Sequence, residues 1–175
     1  TALVLGNVDI AEVPLRKITS LENQYPRFNT LEIHHYGQGP ELVMNTKVHP
    51  FHDVKIRQAV FKALDPWGYV DHIWDGGVFT GLGMPVVNEG WLLPQEELKA
   101  FWDNPTAAAS TLTQSIVQLE TTLTIADYGD KYIALGNQIA DDLEAVGFEL
   151  ETNVLTPLEY VDQVWGEGQY AIVLG

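Results

Sequence analysis

The stretch Thr121–Leu155, "TTLTIADYGDKYIALGNQIADDLEAVGFELETNVL", decides the fold. Its first six residues, "TTLTIA", are rich in β-branched side chains and read as a strand. Within "DKYIALGNQIADDLEAVG" the period lengthens. Ile133, Ile139, Leu143 and Val146 line one face of a helix. Gly147 stands where a helix commonly ends in a left-handed residue. "FELETNVL" then alternates apolar and polar side chains, as a half-buried strand does.

The same alternation of elements continues on both sides. Upstream, Asp103-x-Pro105 opens a helix in "DNPTAAASTLTQSIVQL". Downstream, "PLEYVDQVWGEG" reads as a short helix with a glycine-rich end, and "QYAIVLG" as a last strand. "YAIVL" is apolar without a break, the pattern of a strand covered on both faces. Helix, strand, helix, strand, helix, strand predicts an α/β layer of parallel strands joined by crossover helices.

The first half has other signals. "TALVLGNVDIAEVP" reads as a helix tail, a turn at Gly6-Asn7 and a short strand through Val8 and Ile10. "PLRKITSLENQ" starts a helix at Pro14 and places Leu15, Ile18 and Leu21 on one face. "TLEIHHY" and "ELVMNTK" read as strands around the turn "GQGP". From Asp53, an N-cap, Ile56, Ala59, Val60, Ala63 and Leu64 recur at helical spacing. Asp65-Pro66 launches another helix with Val70, Ile73 and Trp74 on its apolar side, ended by Gly76-Gly77. "VFTGLGMPVVNEGWLLP" reads as an ordered Gly/Pro-rich loop packed on the body through Phe79, Leu82, Met84 and Trp91. Trp67, Trp74 and Trp102 read as core or half-buried.

Composition narrows the function classes. The 175 residues suit one domain or one lobe of a larger protein, enough to bury roughly 70% of the surface of the unfolded chain. Nine basic residues against 24 acidic give a formal charge of −15, which repels phosphate backbones and anionic lipid. Without cysteine there is no disulfide framework, thiol nucleophile or thiolate metal site. No run approaches the roughly 20 apolar residues of a membrane span. The opening residues lack the basic start of a signal peptide, so an export leader would have to lie outside this sequence.

A search for reactive groups finds little. In a strand, His34 and His35 point to opposite faces. His49-x-x-His52-Asp53 could bring three ligands to a helix start, but no further ligand has metal-site spacing, so turn and cap roles are the reading. Asp141, Asp142 and Glu144 share a helix and read as solvated. No nucleophile elbow, phosphate loop or H-E-x-x-H occurs. The chain offers no convincing nucleophile, metal or cofactor cradle, and we expect no catalytic residues, metal or cofactor. Two readings that stay open from the residues alone are a small carboxylate/His-dependent hydrolase and an acidic, non-catalytic interaction domain.

One pattern is more specific. Asn45-x-x-x-x-Pro50-Phe51-x-Asp53-x-x-x-Arg57-Gln58-Ala59, followed by Ala63-Leu64-Asp65, resembles the signature of family 5 extracytoplasmic solute-binding proteins of peptide and nickel ABC importers. "GNVDIAEVP", the Asp103-x-Pro105 helix, Ile139–Leu150 and Tyr160…Gly168-Gln169-Tyr170 are similar to other family segments, in the family's order. Ala171 stands where aspartate is common.

The resemblance implies a periplasmic-binding-protein type II-like lobe, α/β, with a mixed sheet flanked by helices. It implies that residues 1–40 are the end of a first lobe with a hinge-crossing segment, and that 41–175 are the second lobe, truncated before its end. It assigns Asn45, Pro50, Phe51, Asp53, Arg57 and Asp65 to building the lobe, with Arg57 holding a buried acid or carbonyl. The solute would meet the Phe79–Trp91 loop, with Phe79, Gly83 and Trp91, and the end of the last strand at Leu174, where some relatives carry an arginine. The implied function is capture of a small solute, a peptide by preference, for membrane permease subunits of an ABC importer. It implies an extracytoplasmic location, in a periplasm or lipoprotein-anchored at the cell surface, with no nucleic acid and no membrane insertion of this segment.

Overall fold

The computed structural model describes residues 2–31, 39–74, 89–102, 104–114 and 118–175. In chain order the elements are α1 (Leu15–Gln24), β1 (Leu42–Met44), α2 (Val54–Ala63), α3 (Pro66–Trp74), a 3-10 turn (Glu89–Trp91), α4 (Gln95–Lys99), α5 (Pro105–Thr113), β2 (Glu120–Ala126), α6 (Asp130–Ala145), β3 (Glu149–Leu155), α7 (Pro157–Tyr160) running on as a π-helical segment (Val161–Gly166), and β4 (Ile172–Leu174).

The four strands form one mixed sheet in the order β1-β4-β2-β3. β2 is parallel to both β3 and β4, while β1 is antiparallel to β4. The sequence-based expectation of an α/β layer with parallel strands joined by helices holds. β4 is short but central, and all three of its residues are buried, as its unbroken apolar run implies.

The sheet has two packed faces. Leu123, Ile125, Ile172 and Leu174 face the larger core, built with α2, α3, α5 and α6. Ala126, Leu155 and Val173 face a smaller core closed by Tyr160 and Val164. α6 lies very close to the sheet, since a Cβ at Gly136 would overlap the Ile125 side chain. Its end is a complete Schellman motif. Gly147 donates to the Glu144 carbonyl at 3.0 Å, Phe148 donates to Leu143 at 3.1 Å, and Gly147 has φ +113°.

The signature residues shape the start of the larger core. Pro50 and Phe51 are buried, and Phe51 stacks on Phe148 with centroids 6.3 Å apart. Asp53 caps α2 by accepting the Lys55 amide at 2.8 Å. Arg57 donates to the carbonyls of Phe51 at 2.7 Å and His52 at 3.2 Å. Asp65 accepts the Gly68 amide at 3.0 Å at the start of α3. Asn45 fastens β1 to the segment entering β4. Its amide bonds Ala171 at 2.8 Å, and its side chain donates to the Tyr170 carbonyl at 3.1 Å.

Several local expectations are corrected. Residues 7–13 form no strand, and Ile10 is 89% exposed. A strand needs a neighbour to take up its amides and carbonyls, and none of the described strands pairs with this segment. β3 forms, but its alternation does not become an alternating burial, because it is an edge strand on which only Leu155 is buried. The α3 residue that reaches the core is Tyr69, with Ile73 and Trp74 half-buried beside it. α4, anchored by buried Leu98, was not anticipated. α5 is capped by Asn104, which accepts the Ala107 amide at 3.0 Å. Most of the expected strand "TLEIHHY", the Gly76-Gly77 stop and most of the Gly/Pro loop lie outside the described residues.

Candidate functional site at the carboxyl edge of the sheet

Because β2, β3 and β4 are parallel, their carboxyl ends lie side by side. Ala126 is level with Leu155, and Ile125 with Leu174. β1 runs the other way, so its beginning reaches the same edge. Glu41 and Gly175 exchange backbone hydrogen bonds at 2.8 and 3.1 Å. From this edge α6 departs to the larger core and α7 to the smaller one. A carboxyl edge whose connections leave to opposite faces is where open α/β sheets place ligands.

The loops at this edge are tightly made. After β2, Asp127 accepts the Gly129 amide at 3.1 Å, and Gly129 takes φ +105°. After β3, Thr156 and Glu159 form a capping box at the start of α7. The Glu159 carboxyl is held below the usual carboxylate range by its hydrogen bonds from Thr156.

Aromatic side chains collect here. Tyr128 meets Tyr132 and Tyr160 edge-on, with centroids 5.3 and 6.0 Å apart. Tyr160 is buried, and its hydroxyl lies against Gly175. Burial pushes the Tyr160 phenol upward, reinforced by Tyr128, Tyr170 and the Glu41 carboxylate, while a hydrogen bond with Trp165 opposes the rise. Burial also raises Tyr132. Tyr128 and Trp165 remain 46% and 75% exposed.

Of the sequence-predicted contact residues, Leu174 is at this edge, but its side chain is 1% exposed and packs in the larger core. Trp91 is 71% exposed on its 3-10 turn, so it does not anchor the loop to the body. Phe79 and Gly83 lie outside the described residues. Sequence reasoning passed over Tyr128, Trp165 and Glu41. Tyr128 had a usable signal, since it sits in the turn between a parallel strand and its crossover helix. Trp165 and Glu41 had none, because their positions depend on the π-helical segment and on the β1–β4 pairing.

The groups read as possible reactive centres are otherwise engaged. His49 Nε2 lies 2.7 Å from the Gln118 carbonyl, and the Asp53 carboxylate is spent on its cap. Asp142 is not simply solvated. It accepts a short hydrogen bond from the Tyr69 hydroxyl and another from Gln138 at 3.1 Å. Among the described residues no group of three or more His, Asp or Glu could hold a metal ion, and no helix is long and apolar enough to cross a membrane.

The model of the bacterial extracellular solute-binding proteins, family 5 middle, matches residues 1–175. The chain belongs to that family. No curated protein matches the sequence. Among solved structures it is similar to a periplasmic oligopeptide-binding protein of an oligopeptide ABC transporter from Thermotoga maritima. The TM-score is 0.76 at 18% identity, covering 99% of this chain and 37% of that one. A mannohexaose-bound structure of the same Thermotoga protein gives 0.73 at 19%, covering 99% and 36%. The periplasmic binding protein DppA from Helicobacter pylori, in complex with the peptide STSA, gives 0.72 at 18%, covering 99% and 33%. The chain thus spans about a third of the length of these relatives. Family and neighbours are binding proteins, and their fold is the type II periplasmic-binding-protein fold that the sequence resemblance implied.

Proposed function

We propose that this chain supplies one wall of a two-lobed solute-binding protein that captures peptides outside the cytoplasm and delivers them to the permease of an ABC importer. The observation that carries the reading is the family match over residues 1–175, joined to a sheet whose carboxyl edge carries exposed aromatic side chains. The mechanism is capture without chemistry. Two lobes close on a solute about a hinge, water is expelled, and a few polar groups orient the ligand. On this reading residues 41–175 form the second lobe, and 1–40 are the end of the first lobe with the hinge crossing. Support comes from burial, since none of residues 2–14 and 17–31 is buried, whereas the core begins at Pro50. Solute contacts on this lobe come from the Phe79–Trp91 segment, with Phe79, Gly83 and Trp91, and from the backbone at the end of β4, since the Leu174 side chain itself is in the core.

Titration calorimetry of the full-length protein with a mixed di- to pentapeptide library tests the reading. Micromolar capture, about −8 kcal/mol, is expected from the whole protein, and binding at least 100-fold weaker from residues 1–175 alone. Sub-micromolar binding by the isolated chain would overturn the shared-site reading, and no binding by the whole protein would overturn peptide capture.

A further inference from the structure

We propose that His49 and His52 form a two-imidazole site for a late first-row divalent cation, copper(II) above nickel(II) and zinc(II). The inference does not rest on the solute-capture reading, because the pair lies at the other end of the sheet. Gln118, whose carbonyl His49 meets, precedes β2. The length of β2 therefore separates the pair from the carboxyl edge by about 20 Å.

The local fold brings the two rings together. The His52 amide donates to the Val48 carbonyl at 3.1 Å, closing one turn ahead of α2. Buried Pro50 and Phe51 fix that turn to the core, while both imidazoles stay exposed. Their centroids are 5.7 Å apart. A metal–imidazole bond of about 2.0–2.1 Å puts a cation about 3.2 Å from a ring centroid. The observed separation then corresponds to an angle of about 125° at the cation, within reach of tetrahedral and five-coordinate shells.

The protonation of His49 suits a ligand. A carbonyl oxygen only accepts, so His49 Nε2, 2.7 Å from the Gln118 carbonyl, carries the ring proton. In the neutral ring Nδ1 then keeps its lone pair for a cation. Metal-bound histidines commonly donate to a backbone carbonyl from their other nitrogen in this way. His52 can offer either nitrogen, since a half-turn about its outer torsion leaves the ring centroid in place.

The surrounding charge has the matching sign. Just beyond Gln118, Glu120 and Glu149 stand level across β2 and β3, and they line one groove with Glu144 and Glu151. Two protein ligands are fewer than a closed site has, so water completes the shell and affinity follows the Irving–Williams order. A cation on Nδ1 makes the Nε2 proton more acidic and tightens its bond to Gln118. It thereby fastens the turn before α2 to the entry of β2, 69 residues away.

The test titrates untagged full-length protein with copper(II), nickel(II), zinc(II) and magnesium chlorides by calorimetry, and follows copper by electron paramagnetic resonance. Copper is expected to bind most tightly, to show coupling to two imidazole nitrogens, and to raise the thermal midpoint. His49→Gln and His52→Gln are each expected to weaken copper binding at least about tenfold, to remove one nitrogen coupling and to abolish the thermal shift. His52→Gln leaves the Gln118 bond in place, so it decides the matter even if His49→Gln disturbs the fold. Unchanged copper affinity in His52→Gln, or a copper spectrum without imidazole nitrogen, would mean an adventitious ion only and overturn the inference. Magnesium binding as tightly as copper would overturn it too, since carboxylates and not imidazoles would then be the ligands. None of these outcomes bears on solute capture, which the peptide titration decides separately.

Discussion

Tyr69 shows how one side chain joins two layers. Its ring is buried in the larger core, its hydroxyl oxygen accepts from the Asp65 amide at 3.4 Å, and its proton goes to Asp142 on α6. Burial, then the Asp142 hydrogen bond and charge, push the phenol far above its ordinary value of 10.0. The folded value exceeds the unfolded one, so the protonated phenol contributes stability fully below about pH 10, and this is lost as pH rises beyond it. Tyr69→Phe is expected to cost about 2 kcal/mol near neutral pH. Urea melts repeated between pH 8 and 11 should show that difference shrinking at the alkaline end. A difference that stays constant across that range would mean the hydroxyl does not carry it.

At the scale of elements, the end of α6 is the most sharply defined feature. Gly147 at φ +113° lets the chain reverse, so that Phe148 drops into the core opposite Phe51. A side chain at that φ is strained, and Gly147→Ala is expected to destabilise the fold by about 1–3 kcal/mol. Denaturant midpoints measure it, and an unchanged midpoint would show that the turn relaxes freely. Much at this scale was legible. Asp53 and Asp65 were readable as caps, and Ile139, Leu143 and Val146 as a core face. The strand proposed at Val8–Ile10 was not, because alternation states only that a segment could pair. Edge strand β3 shows the same limit, since its pattern does not say that one side of the sheet ends there.

For the whole molecule, stability is expected to reside in residues 39–175. Removing residues 1–31 should shift the thermal midpoint by less than about 4 °C, the shift that about 1 kcal/mol produces at this size. Scanning calorimetry decides the point, and a larger fall would mean that α1 is integral to the core. Since 1–40 are proposed to belong to the other lobe, the same measurement bears on the lobe division.

The sequence by itself determined the α/β class, the order of the later elements, the caps, and the family through the Asn45–Asp65 pattern. Those are local matters: side-chain period, backbone preference and a run of residue types, all contained within a few turns of chain. The tertiary structure decided which strand lay at the centre and which at the edge. It also decided that Leu174 is core, that Asp142 is engaged by Tyr69, and that Glu41 pairs with Gly175 at the edge where Tyr128 meets Tyr160. These depend on strand order and register, which couple residues more than 100 positions apart, as in the pairing of Leu42 with Leu174, and no local pattern records such a pairing.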